Sequence, residues 1–229
     1  MIGTIVNTLA ILLGLTIGLL LGSRFPKKIQ NAMLQVIPLG VLILGIQMTF
    51  KSQNFLVLMT SLALGTLIGE WIDIDSCMNR ACEKISSRFS KGDTSKFTRA
   101  FIDTSLIYCV GALAILGALD EGLKNDPSIL FTKSFLDGVS SIFFAATMGV
   151  GVIFSALTVF LYQALITLLA QYIAPYLTLA AIAELTGIGG TLLVALGLTI
   201  LKIKEFKIAN LLPALPIAVL LALTGWLNV

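Results

Sequence analysis

The chain is written in long, predominantly apolar runs separated by short polar breaks, not in alternating apolar and polar positions. The runs occupy 2–22, 33–50, 54–72, 99–119, 138–153, 154–174, 187–201 and 208–228. A hydrocarbon core about 30 Å thick takes roughly 20 apolar residues per helical crossing. Open backbone groups are tolerated there only in helices or closed barrels, and barrel strands alternate, which these runs do not. The pattern predicts an all-α integral membrane protein of about eight transmembrane helices. The first run lacks a basic leader and a small-residue cleavage site, so it is expected to remain as a helix.

The fifth and sixth runs must be divided from each other. Residues 138–174 carry no charge, and as one helix they would extend about 55 Å. The local breaker is Gly149-Val150-Gly151, which places a bend there and predicts a short fifth crossing, unwound at one end. Basic residues favour cytoplasmic loops. Eight crossings put twelve of the fifteen Lys and Arg on one side and leave Lys51, Lys124 and Lys133 on the other, whereas fusing the two runs gives nine against six. The protein is therefore expected in the cytoplasmic membrane with both termini outside.

Residues 74–98 form the most basic loop. Arg80, Lys84 and Arg88 oppose Met78, Cys82, Ile85 and Phe89 at near-helical spacing, the mark of an amphipathic helix in the cytoplasmic headgroup layer. Its expected partner is membrane lipid, not nucleic acid.

Composition agrees. The chain is 57% apolar and 12% charged, against roughly 25% charged in a soluble domain. Little chain is left for a separate soluble domain. Cys77, Cys82 and Cys109 make no even framework and are expected reduced. The absence of histidine removes zinc-protease and most general-base designs. No P-loop or dinucleotide fingerprint occurs, and Asp103 and Asp137 fall near opposite faces, unlike the paired acids of an aspartyl protease. No enzyme, catalytic residue, metal or cofactor is expected.

Shifting the chain by 152 residues lays 3–49 over 155–201, with Pro38 on Gly190 and Gly45 on Gly197. The first three crossings then match the last three at an odd offset, which inverts the second copy. The expected organisation is a single transmembrane domain, 1–229, comprising a first repeat (1–73), the cytoplasmic loop (74–98), a connecting helix pair (99–153) and a second repeat (154–229). Inverted repeats with Pro or Gly interruptions point to a transporter's binding site. Pro38, Gly190 and Pro213 are the expected interruptions.

Polar groups within the runs carry the functional signal, because an acid at mid-membrane costs roughly 2.5–3.5 kcal/mol even on insertion scales. Asp103 lies one turn into the fourth run, Glu70 near the inner end of the third, and Asn210 opens the eighth. These three are expected to converge near the inner surface. Asp137 before Gly138, Ser140 and Ser141 reads as an N-cap, offering free N–H groups and two hydroxyls to an anion. Asn7 and Gln47 lie in the outer thirds of their helices and Gln163 near the middle of the sixth. Together they mark a path for a small solute or ion. Gly14, Gly18 and Gly22, and likewise Gly65 and Gly69, leave flat helix faces for close packing. A homo-oligomer, with a dimer favoured, is expected because short helices bury little alone.

Several stretches resemble the bacterial membrane-protein family called domain of unknown function 554. They are Gly3-Thr4-Ile5-Val6-Asn7, Leu106-Ile107-Tyr108-Cys109-Val110-Gly111-Ala112, the block from Lys133 to Ser155, and Ala209-Asn210-Leu211-Leu212-Pro213-Ala214-Leu215. The resemblance implies a multi-pass inner-membrane protein of a kind usually labelled a transporter, and brings no established substrate or catalytic residue. The expectation is a secondary transporter with a polar midplane site. An oligomeric ion channel, and a scaffold or sensor acting through the basic loop, are the alternatives.

Overall fold

The computed structural model describes residues 1–22, 27–80, 94–109 and 112–224, and the regular structure among them is entirely helical. We label the main helices α1 (Ile2–Gly22), α2 (Lys27–Thr49), α3 (Phe55–Ile72), α4 (Thr94–Cys109), α5 (Ala112–Lys124), α6 (Ser128–Met148), α7 (Ile153–Leu168), α8 (Leu179–Ile200) and α9 (Ala214–Leu223). Five stretches are long and apolar enough to cross a membrane: α1, α3, α6, Val150–Leu168 and α8. The pair Phe97–Cys109 and Leu113–Lys124, bent by 59°, makes a sixth, and Pro38–Thr49 and Ile208–Leu223 are shorter apolar helices. Residues 74–80 are helical, while Cys82, Lys84, Ile85, Arg88 and Phe89 of the expected interfacial helix lie outside the described residues.

Local chemistry explains where the helices start and stop, and it corrects the fifth crossing. Asp126 Oδ1 accepts hydrogen bonds from the Ser128 amide at 3.0 Å and hydroxyl at 2.6 Å, and these bonds hold the Asp126 carboxyl below its usual range. With Pro127 at the helix start, where its missing N–H is no loss, α6 begins at Ser128. The helix is 21 residues long, a full span instead of a short one, and Asp137 is an interior residue, not an N-cap. It ends at Gly149, whose φ of +88° suits glycine. A 3-10 turn, Val150–Val152, leads into α7.

Two further expectations fail on the backbone. α2 runs on through Pro38 and α8 through Gly190, so neither residue breaks its helix. Pro213 does stand at a boundary, between the 3-10 turn Ile208–Leu211 and α9.

The chain forms two compact units that interleave in sequence. One gathers described residues of 1–37, 94–109 and 113–173, and the other those of 38–80, residue 112 and 174–224. Neither unit coincides with 1–73 or 154–229.

In the first unit α1 lies parallel to α6. Gly3 sits against Leu130, Gly14 against Gly138, Gly18 against Ile142 and Gly22 against Ala146, and a Cβ at Gly14 or Gly18 would overlap a backbone carbonyl of α6. Ser141 Oγ closes the seam by donating to the Ile11 carbonyl at 3.1 Å. α7 packs on α4 through edge-to-face contacts of Phe154 with Phe97 and Phe101, at 5.4 and 6.3 Å.

In the second unit the pairs are antiparallel. Gly65 and Gly69 of α3 meet Ala214 and the Asn210 backbone, and Gly45 of α2 meets Gly190 and Val194 of α8. α8 is the more enclosed kind of span, with 67% of its apolar window buried against 33% for α1.

Gly14→Val should lower the melting temperature in detergent by roughly 3–10 °C, because a carbonyl cannot yield as a side chain can. Gly40→Ala, at a glycine with open space around it, should leave the melting temperature unchanged or raise it.

Candidate functional site

The α1–α6 seam delivers a polar cluster to the interior of the first unit. Gly3, Asn7, Ile11, Gly14 and Gly18 share the buried face of α1, so the glycines that admit α6 also bring the Asn7 amide against it. Asn7 Nδ2 donates to Asp137 Oδ2 at 3.1 Å. Lys133, one turn earlier on α6, donates to the same oxygen and forms an ion pair with it. Three polar side chains thus meet on one oxygen within an apolar span.

The pair is enclosed but not sealed, since the Lys133 and Asp137 side chains keep 7% and 10% of their surface accessible. Asn7 is fully buried and its Oδ1 has no hydrogen-bond partner. From α4, Tyr108 and Cys109 face the pair, and the Tyr108 ring rests edge-on against Phe144 at 6.3 Å. Gln163 on α7 is also fully buried, and neither of its amide atoms has a partner. Buried polar groups are normally satisfied, and the orphans of this unit, which include Tyr108 Oη and Thr167 Oγ1, have counterparts at Ser61 and Asn210 in the other.

Two buried glutamates do structural work that the apolar-run reading missed. Glu121 accepts from the Gly3 amide at 2.6 Å, the Thr4 amide at 3.3 Å and the Thr4 hydroxyl at 3.0 Å. Glu184, fully buried, accepts from the Ser52 hydroxyl at 2.6 Å and from the Gln53 and Asn54 amides at 2.7 and 3.0 Å. Each carboxylate ties down the start of a helix, α1 or α3, where unpaired N–H groups and the helix dipole favour negative charge. Their donors saturate them.

The other expected residues divide between the units. Ser140 Oγ donates to the Asp137 carbonyl of its own helix at 3.0 Å, and Ser141 serves the seam. Asp103 is half-buried, with Arg99 one turn before it, and no hydrogen bond joins it to the Asp137 cluster among the described residues. In the second unit Asn210 is fully buried, and its Oδ1 accepts from the Asp75 amide at 2.7 Å while Nδ2 is unpartnered. Glu70 makes an exposed pair with Lys207 at 3.5 Å, worth little. Gln47 is exposed. Glu70 and Asn210 lie at the same end of their unit, since Gly69 packs on the Asn210 backbone. Asp103 belongs to the other unit.

An apolar groove of about 500 Å³ opens among α1, α4 and α7, lined by residues such as Leu12, Phe97, Leu157 and Phe160. Its one hydroxyl, on Thr8, is bonded to the Thr4 carbonyl, so the groove is not the polar site. Among the described residues no three His, Cys, Asp or Glu side chains gather as a metal centre would require.

Apolar spans, lipid-ready surfaces and a charged pair held inside one unit define an all-helical, multi-span membrane protein. The chain belongs to the family described as Protein of unknown function (DUF554), which it matches over residues 2–223. It is 34% identical over 231 residues to the Uncharacterized protein YqgA of Escherichia coli (strain K12), covering 98% of each chain. To the Uncharacterized membrane protein YdfK of Bacillus subtilis (strain 168) it is 35% identical over 219 residues, covering 94% of this chain and 93% of that one. No solved structure matches.

Removing one member of a buried ion pair strands the other charge, at a cost of about 3–5 kcal/mol. Asp137→Ala should therefore melt well below wild type in detergent, and the double variant Lys133→Met/Asp137→Leu should recover most of that loss. A double variant no more stable than the single one would show that the pair is not buried as described.

Proposed function

We propose that the protein is a secondary transporter that moves a small solute or ion across the cytoplasmic membrane, with Asn7, Lys133 and Asp137 at its binding site. The observation that carries this reading is a charged pair within an apolar span beside an amide oxygen that nothing satisfies. A purely structural pair in lipid is expensive, and intramembrane ionisable groups mark substrate and ion routes by default. Asp137 takes the place given to Asp103 and Glu70 on sequence grounds.

Eight crossings with both termini on one side fit the helix directions, and the basic loops argue that this side is the outer one. Crossings one and five should run parallel, as α1 and α6 do. Crossings two and seven, and three and eight, should run antiparallel, as α2 with α8 and α3 with α9 do. Each pair related by the 152-residue shift also shares a compact unit: α1 with α7 in one, and the apolar half of α2 with α8 and α3 with α9 in the other. Such self-pairing suits an inverted repeat. A homo-oligomer, dimeric by preference, completes the reading, because many large apolar side chains of α1 and α3 remain exposed.

In intact cells lacking the native cysteines, a membrane-impermeant maleimide should label Lys124→Cys and should reach Lys204→Cys only after lysis. Labelling of both from one side would overturn the topology. In liposomes with imposed pH and Na⁺ gradients, the wild type should show saturable, gradient-driven uptake from a panel of amino acids, monocarboxylates and monovalent ions, and Asp137→Ala should lose it. Ohmic current would replace the carrier by a channel, and silence across the panel would remove both.

A further inference from the structure

The hydrogen bonds at Asp137 are lopsided. Lys133 and Asn7 both donate to Oδ2, while Oδ1 accepts none among the described residues. Asn7 is lopsided in the complementary sense: its Nδ2 is used, and its buried Oδ1 is orphaned. An amide is two-faced, a donor at nitrogen and an acceptor at oxygen. Turned over, Asn7 would accept a hydrogen bond from a protonated Asp137 as readily as it now donates to the carboxylate. The same side chain therefore has a partner for each protonation state of its neighbour.

Charge balance then specifies what accompanies the proton. Lys133 and Asp137 together are neutral, and α1 carries no ionisable side chain. The titratable groups nearest the pair on α4 are Tyr108 and Cys109, both neutral in their protonated forms, and the 3-10 turn packed on α6 has none. α5, which meets α6 where Gly117 lies against Leu130, carries charges that are already paired: Glu121 with the Met1 ammonium and Asp120 with Lys124. Protonating Asp137 leaves the Lys133 ammonium without its counter-ion. A lone charge within an apolar span is costly, so a negative partner is needed, and one monovalent anion restores neutrality where a cation or a dianion would not.

We propose that this site binds a small monovalent anion together with one proton: the proton adds from water to the Asp137 carboxylate, Asn7 turns its oxygen toward the new O–H, and the freed Lys133 ammonium takes the anion. No covalent bond other than O–H forms, and the reverse step returns the proton to water. This rests on the transporter reading for its purpose, and names the solute class and the coupling ion.

The test uses the purified full chain in detergent, unbuffered, with a pH indicator, and sodium chloride, nitrate, formate and acetate as probes. At least one salt should cause saturable uptake of about one proton per chain, and its affinity should fall roughly tenfold per pH unit above the carboxyl's titration. Asp137→Asn mimics the protonated acid and supplies a donor for Asn7, so it should bind the same anion with no proton uptake and with a flat pH profile. Lys133→Gln should lose the anion, and thermal melting of each variant establishes that it is folded. Absence of proton uptake with all four salts, or uptake that persists in Asp137→Asn, overturns the proposal, even if the liposomes still transport a solute. Uptake in detergent with silent liposomes would instead uphold the site and sink the transporter reading.

Discussion

Hydrocarbon gives nothing back to a polar group that enters it, and the buried charges among the described residues are placed under that constraint. Glu121 and Glu184 meet it by gripping the amide-rich starts of α1 and α3 with three amide and hydroxyl donors each, to which Glu121 adds the Met1 ammonium at 3.0 Å. The threonines meet it more cheaply, returning their hydroxyls to a carbonyl one turn back, as Thr104, Thr186 and Thr199 do. Asp137 meets it only on one side. That asymmetry sets Asp137 apart from the two glutamates.

The glycine seam is what makes the asymmetry possible. With a side chain at Gly14 or Gly18, α1 would stand off from α6 and the Asn7 amide would fall short of Asp137. Close backbone approach, commonly a device for holding membrane helices together, here also sets the reach of the Asn7 amide. A stability defect and a functional defect are therefore expected to travel together along this face of α1, but not along the saturated carboxylates of Glu184.

Much of the fold was legible in the apolar runs, because span length is imposed by the bilayer and not by sequence detail. The bend at Gly149 followed from a glycine pair in a run too long to be one helix. What escaped was subtler. Treating Lys133 as a loop residue hid an i, i+4 pair whose charges cancel inside the membrane, although Asp126-Pro127-Ser128 is a recognisable helix start. Glu184 was set outside the seventh run, yet a lone acid in the otherwise uncharged stretch from Leu177 to Leu201 is the same signal that singled out Asp103. Pro38 and Gly190 misled because a proline or glycine inside a well-packed span need not break it. Asn7 lies two turns before Gly14, so its place on the glycine face followed from spacing, but what it meets there was decided by tertiary packing.

A carrier site differs from a structural pair in having to open to water, and this can be seen directly. A high-resolution map of the lipid-embedded protein, recorded at low pH with the anion that gives proton uptake, should show that anion against Lys133, with the Asn7 amide turned over, and no solvent at Glu184. A dry Asp137, held by Lys133 and Asn7 as at neutral pH, would contradict the account.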